Sequence, residues 1–123
     1  MGQPFLKEGE RLDDLQLAGL SIIQKIDGFR FGIDAVLLSN YVKVGKGSRI
    51  ADLGTGTGII PLLLSAKTKA SKIVGIEIQK EMAEMATRSV EYNKLQDRIE
   101  IVEGDFLKAI DRFGYNSFDA IVT

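Results

Sequence analysis

Asp52-Leu53-Gly54-Thr55-Gly56-Thr57-Gly58 is the stretch that decides the architecture. It closes a short apolar run, Arg49 to Leu53, and opens a second, Ile59 to Lys67, which reads as a helix. Glycines at a strand-to-helix turn remove Cβ atoms, so the backbone can bend sharply and come close to a ligand. The free N–H groups of the following helix face the same place. Three alternate glycines carry an entropic cost, which favours a ligand-binding turn over a plain connection.

Downstream of this turn, strands and helices alternate. Lys72 to Ile78 is rich in β-branched residues and predicts a second strand. Lys80 to about Asn93 predicts a helix, with Met82, Met85, Ala86, Val90 and Leu95 near one face and Glu81, Glu84, Arg88 and Glu91 opposite. The methionines read as core packing. Arg98 to Val102 predicts a third strand, Phe106 to Phe113 a short helix, and Phe118 to Val122 a fourth strand. Short continuous apolar runs suit strands buried in a parallel sheet. The expected class is therefore α/β: a three-layer αβα Rossmann-like fold with a mostly parallel sheet and right-handed crossovers.

Upstream the pattern is less regular. Between Leu12 and Phe31 the apolar residues fall in clusters broken by Asp13-Asp14, Gly19 and Asp27-Gly28, and Asp-Gly is a turn signal favouring short strands or a hairpin. Ile33 to Val42 has helical spacing, with Asp34 in the first turn, and should end by Gly45 or Gly47. Residues 1–45 thus read as an extension of short strands and a helix packing on a core at 46–123.

Composition narrows the chemistry. The chain has 123 residues, 45% hydrophobic and 27% charged, the balance of one globular domain. Sixteen basic against seventeen acidic residues leave a net charge of -1, so there is no overall electrostatic footprint for phosphate backbones or anionic membranes. The absence of Cys and His removes disulfides, Cys/His zinc sites, thiol nucleophiles and imidazole bases, and no metal site is expected. Chemistry must come from carboxylates, backbone dipoles or a bound cofactor. Apolar runs such as Ile59 to Leu64 are too short to span a bilayer, and Met1 to Glu10 has no secretory apolar core. The expectation is a cytoplasmic protein without membrane association.

Three acids mark strand ends. Asp52 lies two places before the first glycine, where a carboxylate would repel a pyrophosphate but suit the ammonium and sulfonium of S-adenosylmethionine. Electrostatics therefore favour the methyl donor over NAD. Glu77 closes the second strand, where a ribose-binding acid belongs in either cofactor class. Ile78 follows it and can cover an adenine face or simply join the core. Asp105, after Gly104, can accept from the adenine amine, with Phe106 beside the base; Gly-Asp reads equally well as a turn with a helix N-cap. The crevice outside these strand ends is where open α/β sheets bind ligands.

The glycine loop Asp52 to Gly58, Glu77 and Asp105-Phe106, in that order, resemble the cofactor motifs of class I Rossmann-fold methyltransferases that use S-adenosylmethionine. Asp52, Gly54, Gly56, Gly58, Glu77, Ile78, Asp105 and Phe106 are the cofactor-binding candidates. The segment Phe29-Arg30-Phe31-Gly32-Ile33-Asp34-Ala35-Val36-Leu37-Leu38 is similar to bacterial methyltransferases that modify an adenine amine in valine tRNA. That resemblance implies a tRNA substrate and places Phe31 and Asp34 near the methionine end of the cofactor. Alternatives are a protein glutamine or ribosomal RNA acceptor, or a non-catalytic cofactor-binding module.

The resemblance also implies an Asn-Pro-Pro-aromatic tetrapeptide directly after the fourth strand, to orient the amine and stack on the flipped base. The chain reaches Ile121-Val122-Thr123 at that point, so no catalytic residue is expected within it. It reads as the cofactor half of a longer enzyme, with the fourth strand exposed as an apolar edge open to self-association.

Overall fold

A computed structural model of the chain describes residues 5–27, 33–114 and 117–122. Its main sheet is parallel. Strand β3 (Arg49–Leu53) pairs with β4 (Lys72–Glu77) on one side and β6 (Ala120–Val122) on the other, and β4 pairs with β5 (Ile99–Glu103). Helices α2 (Ile59–Lys67), α3 (Lys80–Tyr92) and α4 (Phe106–Phe113) form the crossovers. The class is the α/β Rossmann-like one that the alternation predicts.

Alternation along each strand builds two apolar layers. Ile50, Ile73 and Ile99 pack with Leu62, Leu63 and Leu64 of α2 and Val90 of α3. Ala51, Val74 and Ile76 point the other way, onto Ala109 and Ile110 of α4. The buried positions of the main sheet are apolar except for Asp52, next to last in β3, and Glu77, last in β4.

The N-terminal segment forms an antiparallel hairpin of β1 (Glu10–Asp14) and β2 (Ser21–Lys25). Its turn lies at 15–20, closed by Leu15 N–H to the Leu20 carbonyl at 2.9 Å, with Gln16, Ala18 and Gly19 left-handed. The Asp27-Gly28 signal does not supply that turn: β2 ends at Lys25, before it, and Gly28 lies outside the described residues. The hairpin joins the main core through Leu20 and Ile22. It is clipped to α3 by Ile23 N–H to Ser89 Oγ at 2.9 Å, and by Asn93, which accepts from Ser21 N–H and donates to the Ser21 carbonyl. Arg88 adds a two-pronged pair to Glu10, both contacts 2.7 Å, and holds Glu84 as well. Its guanidinium keeps the Glu10 and Glu84 carboxyls below their ordinary range. Helix α1 (Ile33–Tyr41) packs on α2.

Three strands differ from expectation in their bounds, and β4 does so by ending at Glu77, one residue before Ile78. β5 runs from Ile99 to Glu103, one residue later than expected, although the Arg98 carbonyl already accepts from Ile73 N–H at 2.8 Å; the Arg98 guanidinium donates to the carbonyls of Ser65 and Ala70. β6 covers Ala120–Val122 and not Phe118–Val122, since Phe118 turns to meet Phe113 edge-on. Asp119 meanwhile closes a reciprocal pair with Arg49: its N–H donates to the Arg49 carbonyl and its Oδ2 accepts from Arg49 N–H. The edge is thus three residues long, with Ile121 46% exposed. Among the described residues no helix is long and apolar enough to cross a membrane, and no cluster of acids could hold a metal ion.

Candidate functional site at the carboxyl rim of the sheet

The glycine loop is tied to the neighbouring strand. Gly54 and Thr55 both donate backbone N–H groups to the Ile76 carbonyl, at 2.8 and 2.9 Å, so the chain leaves β3 already bent across β4. Gly54, Gly56 and Gly58 have φ of 75°, 60° and 95°, in the left-handed region that favours glycine. They are not equivalent. A Cβ on Gly58 would lie 3.2 Å from the Ala86 Cβ, so this glycine lets α3 approach, whereas one on Gly54 would meet nothing within 4 Å. The space above Gly54 is open for a ligand. Gly58 is the N-cap of α2, and no side chain caps that helix.

Asp52 lies beneath the loop, 3% exposed, and its Oδ2 accepts from Thr55 Oγ1 at 2.7 Å. Burial pushes its pKa up to about 6; the Thr55 hydroxyl opposes the rise and the negative charge of Glu77 adds to it. A cation placed nearby would draw it back to the carboxylate.

Glu77 is 7% exposed and its carboxylate is held by both oxygens. Oε1 accepts from Gly56 N–H at 2.8 Å and Oε2 from Gln79 N–H at 3.0 Å. Each oxygen keeps a further lone pair, so the fixed carboxylate can still accept from two adjacent hydroxyls. Beside it opens a cleft of about 200 Å³, lined by Gly54, Ile76, Glu77, Ile78, Gly104, Asp105 and Phe106. Ile78 and Phe106, both exposed, offer it apolar surface. Gly104 N–H donates to the Glu77 carbonyl at 2.8 Å, which sets the second acidic turn against the first. Asp105 Oδ1 accepts from Leu107 N–H at 2.8 Å and so caps α4.

One rim therefore gathers Asp52, Gly54, Gly56, Gly58, Glu77, Ile78, Asp105 and Phe106. Asp34 is exposed in the first turn of α1, and no described hydrogen bond or ion pair joins it to this rim. Phe31 lies outside the described residues.

Two participants went unnoticed in the sequence. Gly75, inside β4, lets Thr55 tuck under the loop, since a Cβ there would sit 2.7 Å from Thr55 Oγ1. Gln24 is 1% exposed on β2, and its Oε1 accepts from Thr57 Oγ1 at 3.2 Å. Its Nε2 has no partner among the described residues. An amide donor left bare in the interior costs on the order of 1–3 kcal/mol, and this one lies beside the glycine loop. The only signal was a single polar residue ending the buried run Ile22-Ile23-Gln24.

The residues present suit an adenosyl group carrying an amino-acid tail: a doubly anchored carboxylate for vicinal hydroxyls, apolar surface for a planar base, and open space over bare backbone.

The fold and rim define a class that comparison with known proteins bears out. A family described as "Methyltransferase domain" matches residues 50–123, and the chain belongs to it. Among its relatives, the tRNA1(Val) (adenine(37)-N6)-methyltransferase of Bacteroides thetaiotaomicron is 39% identical over 79 residues, covering 63% of this chain and 33% of that protein. The enzyme of the same name from Bacteroides fragilis strain YCH46 is 33% identical over 94 residues, 76% of this chain and 39% of its own length. The chain thus spans 33 to 39% of these two relatives. In fold it resembles TYW2 of P. horikoshii, solved in complex with MeSAdo, with a TM-score of 0.70 at 20% identity over 94% of this chain and 42% of that one.

Proposed function

We propose that this chain is the cofactor-binding part of a methyltransferase that takes its methyl group from S-adenosylmethionine and delivers it to the exocyclic amine of a nucleobase, adenine in tRNA. The observation that carries the reading is the Glu77 carboxylate, fixed through both oxygens between the glycine loop and the Asp105-Phe106 turn. When bound, S-adenosylmethionine supplies a methyl already activated on a sulfonium, so the protein's share is positioning.

Glu77 accepts from the two ribose hydroxyls. Ile78 and Phe106 flank the adenine, and Asp105, with one oxygen spent on the helix cap, accepts from the adenine amine with the other. Gly54, Gly56 and Gly58 keep the loop backbone bare for the methionine portion, and Asp52 supplies the negative charge beneath its ammonium. Gln24 offers Nε2 to the methionine carboxylate. Phe31 and Asp34 are assigned to the methionine end on the resemblance alone.

Residues 46–123 form the cofactor half and residues 1–45 an extension upon it. The names and identities of the Bacteroides relatives support tRNA as the substrate, and a tRNA substrate would put the enzyme's place of action in the cytoplasm. Calorimetric titration with S-adenosylhomocysteine tests the cofactor assignment, with saturable one-to-one binding expected. Absence of binding, to this chain and to a protein of the relatives' length alike, overturns it.

A further inference from the structure

At the opposite end of the sheet from the cofactor rim lies a larger cleft, about 450 Å³, lined by Ser39, Asn40, Val42, Lys43, Val44, Lys46, Lys67, Thr68 and Lys69. Four of these are lysines and none is acidic, in a chain whose acids outnumber its bases by one. Such segregation is the local footprint of an anion site, which net charge conceals.

The lysines differ in role. Lys67 donates to Ser39 Oγ and Asn40 Oδ1, both at 2.7 Å, and to the Val36 carbonyl at 3.3 Å. Its three donors are spent joining α2 to the end of α1, so it contributes a fixed positive charge and no free hydrogen bond. Lys43, Lys46 and Lys69 are exposed and make no ion pair among the described residues. Their two connections are clipped together by Gly47 N–H to the Lys69 carbonyl at 3.0 Å, Ser71 N–H to the Ser48 carbonyl at 2.7 Å and Ser71 Oγ to the Gly47 carbonyl at 2.8 Å. Three like charges are thus held on rigid backbone around one hollow.

We infer that this lysine cleft binds the phosphate backbone of the RNA substrate, at a site separate from the cofactor rim. The partner class rests on the proposed nucleobase acceptor; the charge and geometry of the cleft do not. Strand β3 runs from the one site to the other, about 13 Å for its length. A backbone that touches both the rim and the cleft must span at least that length. Phosphate contacts of this kind fix register without reading sequence.

The test is fluorescence anisotropy with a labelled RNA hairpin across a salt series. The chain carrying K43Q, K46Q and K69Q is compared with one carrying K25Q, K94Q and K108Q, which removes the same charge from scattered positions. The cleft variant is expected to bind at least about tenfold more weakly, with the slope of log affinity against log salt shallower by about two; the scattered variant stays near wild type. Equal losses in both variants, or no binding by the wild-type chain, overturn the proposal. S-adenosylhomocysteine titrations of the same three proteins should coincide, which separates loss of RNA binding from damage to the cofactor rim; the charge comparison does not depend on their outcome.

Discussion

Thr55 donates its hydroxyl to Asp52 Oδ2 at 2.7 Å across the turn, and among the described residues this is the only side-chain hydrogen bond given to a carboxylate that is 3% exposed. One neutral donor does not replace the water lost on burial, so the carboxyl is raised from its ordinary 3.8 to about 6. A folded-state pKa above the unfolded one means that stability is fully present below about pH 4 and lost as pH rises to about 6. The difference corresponds to about 3 kcal/mol. Asp52→Asn should therefore raise the free energy of unfolding at pH 7 by up to that amount, with the gain shrinking toward pH 4. It should also weaken S-adenosylhomocysteine binding by removing the charge that faces the ammonium. Urea melts at both pH values check the first expectation, and a less stable variant at pH 7 contradicts it.

Glu77 meets two backbone donors, from Gly56 and Gln79, and an amide can face only one of them with an acceptor. Glu77→Gln should lose about 1–3 kcal/mol of stability, because one buried N–H is left opposing another. It should also lose cofactor affinity by at least about tenfold, since the ribose loses an oriented acceptor. Thermal melts and calorimetry of the variant measure the two effects separately.

Much of this site is legible in the sequence. Continuous apolar runs announce buried parallel strands, which put Asp52, Glu77 and Asp105 at three strand ends and hence on one rim. Features set by contacts between distant segments were not legible. Gly75 matters because Thr55 folds back beneath it, and Gln24 because a hairpin outside the sheet brings it to Thr57. The hairpin turn lies at Gly19, one of the breaks in the apolar pattern, and not at Asp27-Gly28, the stronger local signal, because Leu15 N–H closes it on the Leu20 carbonyl. β6 was read too long because Phe118 is as apolar as a strand residue, yet packs on Phe113. The lysine cleft was hidden because Lys43, Lys46 and Lys69 lie in two connections.

The glycines separate fold from ligand. At Gly75 a methyl group would press on Thr55 Oγ1, buried beneath the glycine loop, and on Ile101 of β5 at 3.0 Å, so Gly75→Ala should destabilise by about 1–3 kcal/mol. At Gly54, φ is 75° and the space is empty, so Gly54→Ala should cost about 1 kcal/mol of backbone strain while its methyl group enters the ligand's space. Gly54→Ala is expected to lose more cofactor affinity per unit of lost stability than Gly75→Ala. Paired melts and S-adenosylhomocysteine titrations decide it, and the reverse order would mean that the open side of the loop is not where the ligand lies.

Gln24 offers the sharpest separation between the two ends of the cofactor. Its Nε2 is buried without a described partner while Oε1 holds Thr57, so the bare donor is the half of the amide free to meet a carboxylate. Gln24→Leu removes the orphan donor and should leave the protein as stable as before or more so, because no buried amide is left unpaired. It should weaken S-adenosylhomocysteine by about tenfold, the worth of one charge-assisted hydrogen bond. Gln24→Glu, which keeps an acceptor for Thr57 but faces the ligand with like charge, should weaken it further. Neither change should alter the binding of methylthioadenosine, which shares the adenosyl group and lacks the amino-acid tail. Equal losses for both ligands would show that Gln24 acts only by holding the glycine loop in shape.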